Sequence, residues 1–309
     1  MRALITGIAG FVGSHLAEEL LANGHEVAGI ALPDHPTENI KDILDRIKMF
    51  PADILDLQSL KKTLVSFAPD VVFHLAAISF VPEAEGAPKK LFEVNVIGTI
   101  NLLETTLAMQ TPPMFVFVSS SEIYEPTEFA LVEDTPAKPR NLYAVSKYAA
   151  ELFIEHHQNL KPCIFRPFNH IGPRQRPAFA VSNFARQIAL MERGKNKLTL
   201  QVGNIESARD FTDVRDIVRA YRIAAEKGAS GTYNLCSGTV TKIKTVIGIF
   251  KSLAKVKFNV HVKREFLRQR ETLKSFGSYA KAKEAFGWEP KISLKKSLAD
   301  TLDYWRARV

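Results

Sequence analysis

A glycine-rich turn between a short apolar run and an amphipathic stretch constrains the fold of this chain more than any other feature. The apolar run covers residues 3–6, and the segment TGIAGFVG at residues 6–13 opens a helical pattern that reaches residue 23. Glycines at these positions allow a tight turn, close approach of the backbone to a pyrophosphate, and close packing of helix on strand. The helix N-terminus adds unpaired N–H groups and a positive dipole end. We therefore predict a strand, a turn and a helix that bind a dinucleotide.

Strand-like and helix-like segments alternate through the first 170 residues, which is typical of βαβ units in a parallel sheet. Further strands are predicted at residues 26–30, 47–50, 71–75, 115–119 and 163–167, and helices at residues 57–67, 89–109 and 142–159. The predicted fold class is α/β, with a doubly wound parallel sheet of the Rossmann type and a smaller C-terminal substrate-binding lobe. We place the dinucleotide-binding domain at residues 1–168 and the lobe at residues 169–309. Residues 198–202 and 232–235 are short enough to be strands that return to either part.

Composition excludes several classes of protein. Of the 309 residues, 46% are hydrophobic and 24% are charged, which is typical of globular chains and not of disordered, collagen-like or coiled-coil ones. The two cysteines lie far apart without a CxxC pair, and the eight histidines are scattered, so we predict neither disulfides nor a metal site. No apolar run approaches a membrane span, and the first residues are too short for a signal-peptide core. We expect a cytoplasmic protein.

The net charge of +8 belongs to the C-terminal part of the chain. Residues 251–309 contain 15 Lys and Arg against 6 Asp and Glu, which leaves the first 250 residues at −1. One interpretation is a solvated basic face, because net charge informs solubility and steering more than function. The other is attraction of a polyanionic ligand, either a nucleic acid or a phosphorylated metabolite.

A tyrosine and a lysine four residues apart, Tyr143 and Lys147, share one face at the start of a predicted helix. Tyrosine is a poor acid or base at neutral pH, and we expect the nearby ammonium and a nicotinamide cation to lower the pKa of Tyr143. The run SSSE at residues 119–122 follows a strand at its carboxyl end, where open α/β sheets bind ligands, so a hydroxyl there can hold a substrate oxygen. These groups predict proton transfer coupled to hydride transfer. The second strand ends at Ala31 with neither an acidic residue nor an arginine, which leaves NAD and NADP open.

Six motifs together resemble the extended short-chain dehydrogenase/reductase superfamily over essentially the whole chain. They are TGxxGxxG, HLAA at residues 74–77, NVIGT at residues 95–99, SSSExY, YxxxK, and the pair Arg166 and Pro167. The resemblance implies Ser120 as the catalytic hydroxyl, Tyr143 as the acid/base and Lys147 as the group that tunes it. It also implies NADH or NADPH as cofactor and a homodimer formed through the helix of Tyr143 and the long helix before it. The implied cofactor contacts are Gly7, Gly10, Phe11, Val12, Gly13, Asp53, Ile54, Leu75, Ala76, Ala77, Asn95, Tyr143, Lys147 and Arg166.

The second half resembles the nucleotide-sugar branch of this superfamily, and most closely the reductases that act on GDP-4-keto-6-deoxy-D-mannose. The motifs are FNHIGP at residues 168–173, GNIE at 203–206, RDFTDVRD at 209–216 and RQRE at 268–271, where the usual pattern is RPxE. Arginines suit a diphosphate because they make charge-assisted, often bidentate contacts, and a carboxylate accepts from ribose hydroxyls. The implied substrate contacts are Ser79, Ser121, Asn169, Arg209, Arg268 and Glu271.

The main prediction is reduction of the C4 ketone of GDP-4-keto-6-deoxy-D-mannose to GDP-D-rhamnose with NADH or NADPH. A GDP-mannose 4,6-dehydratase is the nearest alternative, because Glu122 could abstract the proton next to a C4 ketone and drive elimination. Another nucleotide-sugar epimerase or dehydratase stays open as well. Two alternatives outside enzymes are a cofactor sensor on the same fold and an RNA-binding relative. No interleaved aromatic platform accompanies the basic excess, so we expect no nucleic-acid partner.

Overall fold

The computed structural model describes residues 1–157, 160–266 and 274–309. Its centre is a seven-stranded sheet in the order β10-β6-β5-β4-β1-β2-β3, in which every neighbouring pair is parallel. Its strands are β1 (Arg2–Thr6), β2 (Glu26–Ala31), β3 (Lys48–Pro51), β4 (Val71–His74), β5 (Met114–Val118), β6 (Cys163–Pro167) and β10 (Gly231–Leu235). The predicted doubly wound parallel sheet is confirmed.

Helices cover both faces of this sheet, so its strands are buried on both sides and consist of nearly continuous apolar residues. Leu4 and Ile5 of β1 show the consequence: they are neighbours in the sequence, both fully buried, and belong to cores on opposite faces. The helices of the first 160 residues are α1 (Phe11–Ala22), α2 (Leu57–Phe67), α3 (Val81–Gly86), α4 (Pro88–Phe92), α5 (Gly98–Leu107) and α6 (Leu142–His156).

The predicted helix over residues 89–109 is interrupted. A π-helical turn, Glu93–Ile97, separates α4 from α5, and the backbone nitrogen of Gly98 donates to the carbonyl of Glu93 five residues earlier. Such turns insert one residue into a helix and re-aim the side chains on it. Here the turn carries Asn95, which is 1% exposed and lies at the bottom of the site described below.

The second half of the chain builds smaller sheets and a core of its own. Its further strands are β7 (Asn169–Ile171), β8 (Thr199–Val202), β9 (Ala208–Asp213), β11 (Val240–Lys242), β12 (Asn259–Val262) and β13 (Lys274–Ser275). Its helices are α7 (Ala180–Glu192), α8 (Val214–Glu226), α9 (Ile243–Leu253), α10 (Ala280–Phe286) and α11 (Leu294–Arg306). Strand β9 pairs with β7, β11 and β13, and β8 pairs with β12. Helices α7, α9 and α11 pack around a core that includes Phe184, Ile188 and Phe250, whereas α8 and α10 belong to a core of the large sheet.

The two segments whose location the sequence left open go to different sheets. Residues 199–202 pair with β12 in the second half, and residues 231–235 pair with β6 at the edge of the large sheet. The division at residue 168 stays a prediction, since β10 lies in the large sheet and α8 packs against α1. None of the helices in the described ranges has the length and apolar character needed to cross a membrane.

Candidate active site

The glycine-rich turn joins β1 to α1 at the carboxyl edge of the sheet. Gly7 has φ of 72°, a left-handed value that favours glycine, and its α-carbon faces the backbone of Ala76. A Cβ on Gly13 would stand 2.3 Å from the carbonyl oxygen of Gly7, so only glycine lets the helix pack this closely. Gly10 is the N-cap of α1 and offers no side chain to the first free N–H groups. The turn therefore presents backbone donors to an anion, as the sequence predicts.

The loop after β4 lies against this turn. The backbone nitrogens of Leu75 and Ala76 each donate to the hydroxyl of Thr6 over 3.1 Å, which fixes the loop next to Gly7. Leu75 and Ala76, with the neighbouring Ala77, are partly exposed at this edge, in keeping with the predicted cofactor contacts.

Ser120, Tyr143 and Lys147 come together at the ends of β5 and α6. Ser120 is 7% exposed and caps a short 3-10 turn, Ser121–Ile123, by accepting from the backbone nitrogen of Glu122 over 3.2 Å. The hydroxyl of Ser120 also lowers the pKa of the Tyr143 phenol, which indicates that the two groups are close. Lys147 is 3% exposed, and its Nζ lies 4.3 Å from the centre of the Phe117 ring. The structure thus brings the three predicted catalytic side chains to one edge of the sheet.

The pKa of Tyr143 shifts in the direction opposite to the sequence-based expectation. Burial raises the pKa of Tyr143, the negative charge of Glu122 raises it further, and the hydrogen bond with Ser120 lowers it only in part. Lys147 is not among the groups that shift this pKa. In the protein alone, the phenol therefore keeps its proton at neutral pH and can act as an acid.

Lys147 is itself strongly affected by its surroundings. Burial lowers the pKa of Lys147 from 10.5 to about 7, and the charge of Glu151, one helical turn further along α6, opposes this shift. A buried ammonium without full compensation gives up its proton near neutral pH. An anionic or hydroxyl-bearing ligand next to Lys147 would favour its charged form.

Four predicted residues line one cleft between the large sheet and the second half. The cleft has a volume of about 760 Å³, and its walls include Ser121, Glu122, Asn169 and Arg209. Asn169 starts β7 and pairs with Phe211 of β9, the strand that also carries Arg209. Glu122 is exposed to this cleft, and its Oε2 accepts from Nδ2 of Asn141 over 2.5 Å.

The cleft also contains charged residues that the sequence analysis did not select. Arg140 and Glu85 line it, and Glu85 accepts from the backbone nitrogen of Leu142 over 3.2 Å at the start of α6. Arg140 lies three residues before Tyr143, and this proximity to the YxxxK motif is the only feature of the sequence that could have pointed to Arg140. Glu85 comes from the separate helix α3, so no spacing in the sequence could indicate it.

Two predicted cofactor contacts also make internal hydrogen bonds. Arg166 donates to Tyr124, to the Glu133 carbonyl and to buried Glu151, with which it forms an ion pair. Asn95 holds the backbone of Ile78 through the oxygen and the nitrogen of its side-chain amide. These bonds fix the two side chains inside the protein, and the contact of Arg166 and Asn95 with the cofactor stays a prediction.

The other predicted residues lie at the edges of the site or outside the described ranges. Asp53 is partly exposed after β3, and its Oδ1 accepts from the backbone nitrogen of Leu55 over 2.9 Å. Ile54 is 5% exposed and Ser79 is exposed just before Val81 at the cleft. Phe11 stacks on His170 with ring centres 5.9 Å apart. Arg268 and Glu271 lie outside the described residues. Within the described part of the chain, no three metal-binding side chains converge.

Comparisons with known proteins agree with the resemblance that the motifs indicate, over nearly the full length of the chain. The family described as GDP-mannose 4,6 dehydratase matches residues 4–301. GDP-6-deoxy-D-mannose reductase of Pseudomonas aeruginosa is 36% identical, and the alignment covers 100% of this chain and 98% of that protein.

Two solved structures share the whole fold. RMD from Pseudomonas aeruginosa complexed with NADPH has a TM-score of 0.87 and 35% identity, covering 100% of this chain and 99% of that one. UDP-glucose 4-epimerase from Thermus thermophilus in complex with NAD has a TM-score of 0.88 and 30% identity, with 100% of both chains covered. The resemblance drawn from the motifs is confirmed. The chain belongs to the GDP-mannose 4,6-dehydratase family.

Proposed function

We propose that this protein reduces the C4 ketone of GDP-4-keto-6-deoxy-D-mannose to GDP-D-rhamnose with NADPH or NADH. The observation that carries the proposal is a partly exposed Tyr143 at the same edge of the sheet as Ser120, next to a cleft lined by Arg209. Burial raises the pKa of Tyr143, so its phenol keeps its proton at neutral pH. A ketone reductase needs an acid that keeps its proton until the carbonyl oxygen becomes negative. The reductase of Pseudomonas aeruginosa, similar over the full chain, supports the same substrate class.

The glycine-rich turn fits a dinucleotide. A Cβ at Gly13 would fill the space that the turn needs, and Gly10 leaves the N-terminus of α1 open to a pyrophosphate. Gly7, Gly10, Phe11, Val12 and Gly13 would hold that group, with Leu75, Ala76 and Ala77 along the adjacent loop. When bound, the reduced nicotinamide supplies the hydride that the ketone receives.

The residues of the chain would act on the sugar as follows. Ser120 and Tyr143 donate hydrogen bonds to the C4 oxygen and orient the ketone. Tyr143 then passes its proton to the oxygen as negative charge develops there. Lys147, one turn further along α6, would stabilise the remaining phenolate when Lys147 itself is protonated, because an opposite charge favours the ionised form.

The nucleotide part of the substrate would occupy the cleft. Arg209 and Asn169, on neighbouring strands, would bind the diphosphate and the sugar. We add Arg140 as a second cation on the wall of the cleft, since a diphosphate carries two phosphates to be neutralised. Arg268 and Glu271 stay predictions for the diphosphate and ribose.

One pair of assays tests the proposal against the dehydratase alternative, which Glu122 in the cleft keeps relevant. Protein would receive GDP-mannose alone, or GDP-4-keto-6-deoxymannose with NADPH or NADH. We expect one reduced nicotinamide oxidised per keto sugar in the second assay and no product in the first. Formation of the keto sugar from GDP-mannose would refute the reductase assignment.

A variant then ties the activity to the site. Tyr143→Phe removes the proton donor and keeps the ring, so we expect turnover to fall by about 10²- to 10⁴-fold with NADPH binding retained. Tyr148→Phe, on the same helix, is the matched control and should keep its activity. Near-full turnover in Tyr143→Phe would remove Tyr143 from the mechanism.

We further propose a homodimer that pairs through α5 and α6. Of the apolar residues on α4, α5 and the π-helical turn between them, Leu91, Leu102 and Leu103 are fully buried within the chain, whereas Ile97 is 47% exposed. Leu152 on α6 is 48% exposed, and an open groove of about 500 Å³ lies beside Ile97. Exposed apolar side chains grouped on adjacent helices favour association.

A further inference from the structure

A chain of hydrogen bonds in the core links the glycine-rich turn to helix α6, and the proposed mechanism does not use it. The chain starts at Thr6, whose hydroxyl accepts from the backbone nitrogens of Leu75 and Ala76. The same hydroxyl lies 2.8 Å from Nδ1 of His74, and Nε2 of His74 lies 2.9 Å from Oγ1 of Thr99. Thr6, His74 and Thr99 are at most 1% exposed.

The positions of the protons in this chain follow from its partners. Two N–H groups occupy both lone pairs of the Thr6 hydroxyl, so its single proton points to Nδ1 of His74. At the other end, Thr99 donates its proton to the carbonyl oxygen of Asn95 over 2.7 Å and must accept from Nε2. Both ends therefore require the neutral form of His74 with its proton on Nε2. Burial and the charge of Lys147 lower the pKa of His74 to about 3, which keeps the ring neutral.

Beyond Thr99, the chain reaches the turn of α6 that carries the proposed acid. Asn95, whose carbonyl accepts from Thr99, donates from Nδ2 to the hydroxyl of Ser146 over 2.9 Å. Ser146 donates in turn to the carbonyl oxygen of Tyr143 over 2.8 Å. The backbone of Tyr143 is thus connected to Thr6, at the start of the glycine-rich turn, through buried side chains and the backbone carbonyl of Asn95.

We propose that Thr6, His74 and Thr99 are positioning residues that fix Tyr143 relative to the glycine-rich turn, with neutral His74 as the central link. The inference rests on the proposed function, because it is Tyr143 that must meet the ketone while the turn holds the dinucleotide. Each link has one satisfied arrangement of protons, and a charged ring, or one with its proton on Nδ1, would place two buried donors against each other at Thr6. The chain therefore favours a single placement of Tyr143.

The test compares two substitutions at Thr99. Thr99→Val keeps the shape but loses the hydroxyl, whereas Thr99→Ser keeps both hydrogen bonds. We expect kcat to fall by about tenfold in Thr99→Val, the factor that one hydrogen bond is worth, with KM for the sugar unchanged. Thr99→Ser should restore kcat.

Thr106→Val is the matched control. Thr106 is also fully buried on α5 and its hydroxyl also donates one turn back, to Leu102, but it lies outside the chain of hydrogen bonds. We expect Thr106→Val to lose thermal stability as Thr99→Val does and to keep kcat. An equal loss of kcat in both variants would overturn the proposal, because packing of α5 would then explain it.

A second measurement needs no turnover. Nitrogen NMR of protein with labelled histidines and bound NADPH separates protonated from unprotonated ring nitrogens, and a His74→Asn variant assigns the signals. We expect His74 with its proton on Nε2 between about pH 5 and pH 8, the range in which an unperturbed histidine titrates. A charged ring or a proton on Nδ1 would overturn the proposal, as would wild-type kcat in Thr99→Val. If the wild type reduces no keto sugar, the proposed function fails, and the nitrogen spectrum alone decides whether His74 forms this link.

Discussion

Lys147 is a buried cation whose protonation is linked to folding. The pKa of Lys147 is about 7 in the folded protein and 10.5 as its ordinary value. Between these pH values, the unfolded chain binds the proton and the folded chain releases it, so the free energy of unfolding rises with pH. Each pKa unit corresponds to at most about 1.4 kcal/mol.

We therefore expect wild type to gain stability relative to Lys147→Met as the pH rises above 7. The measurement is denaturant unfolding of both proteins, without nucleotide, over that range. Taking the difference between the two proteins removes the contribution of the other titrating groups. A difference that does not change with pH would mean that Lys147 is hydrated in solution.

Glu122 acts on the same acid from the cleft. Its charge is the second cause, after burial, that raises the pKa of Tyr143. Glu122→Gln removes this charge, so the pKa of Tyr143 should fall. On the alkaline side of the pH profile, kcat/KM for the ketone should then decline at a lower pH than in wild type. A pH profile of kcat/KM measures the shift.

Glu85→Gln is the control for this effect, because Glu85 lines the same cleft but is not among the groups that shift the pKa of Tyr143. We expect its profile to match wild type. The shift distinguishes an electrostatic role from proton abstraction: loss of activity at every pH in Glu122→Gln would indicate that Glu122 itself transfers a proton.

At the scale of elements, α6 begins at a residue that also orients Glu122. Asn141 caps α6 by accepting from the backbone nitrogen of Ala144 over 2.8 Å, and its Nδ2 donates to Glu122. Asn141→Ala loses the cap and should cost about 1 kcal/mol of stability. Asn141→Asp keeps a capping oxygen but places a second carboxylate 2.5 Å from that of Glu122.

Two carboxylates this close share a proton, which raises the pKa of one of them above its unfolded value. The folded Asn141→Asp protein then binds more protons than the unfolded chain in weak acid, so its stability relative to wild type should rise as the pH falls. Thermal unfolding at neutral and weakly acidic pH measures this. The loss of stability in Asn141→Ala should not change with pH. If the stability difference between Asn141→Asp and wild type did not change with pH either, the contact between Asn141 and Glu122 would be contradicted.

Sequence patterns predicted elements where the physical cause is local. The turn at residues 6–13 follows from the backbone angle of Gly7 and the close approach at Gly13, both of which only glycine permits. The predicted helix over residues 57–67 matches α2 because Asp56 caps it and its apolar residues repeat on one face. The π-helical turn at Asn95 was missed, since it depends on contacts with the loop after β4 and with α6.

At the scale of the molecule, the cleft joins segments that are far apart in the sequence. Its walls take residues from the segments 81–85, 121–126 and 139–145, together with residues 131, 169, 209 and 275. Spacing within a motif predicted Ser120 and Tyr143 but could not indicate that Glu85 and Arg140 would line the same cleft. The internal bonds of Arg166 were missed for a related reason: its guanidinium donates to Glu151 of α6, which only the packed sheet determines.

The proposed dimer would form through the exposed side of α6, α5 and the π-helical turn before α5, where Ile97 and Leu152 are about half exposed. A charge at either position would have to be buried in a dimer without a partner, which costs several kcal/mol. We expect wild type to sediment as a dimer at micromolar concentration and both Ile97→Glu and Leu152→Glu to sediment as folded monomers. Val262→Glu is the control, because Val262 is 42% exposed on β12 in the second half of the chain and should leave the dimer intact. A wild-type monomer, or dimers in both glutamate variants, would show that these helices do not form the contact.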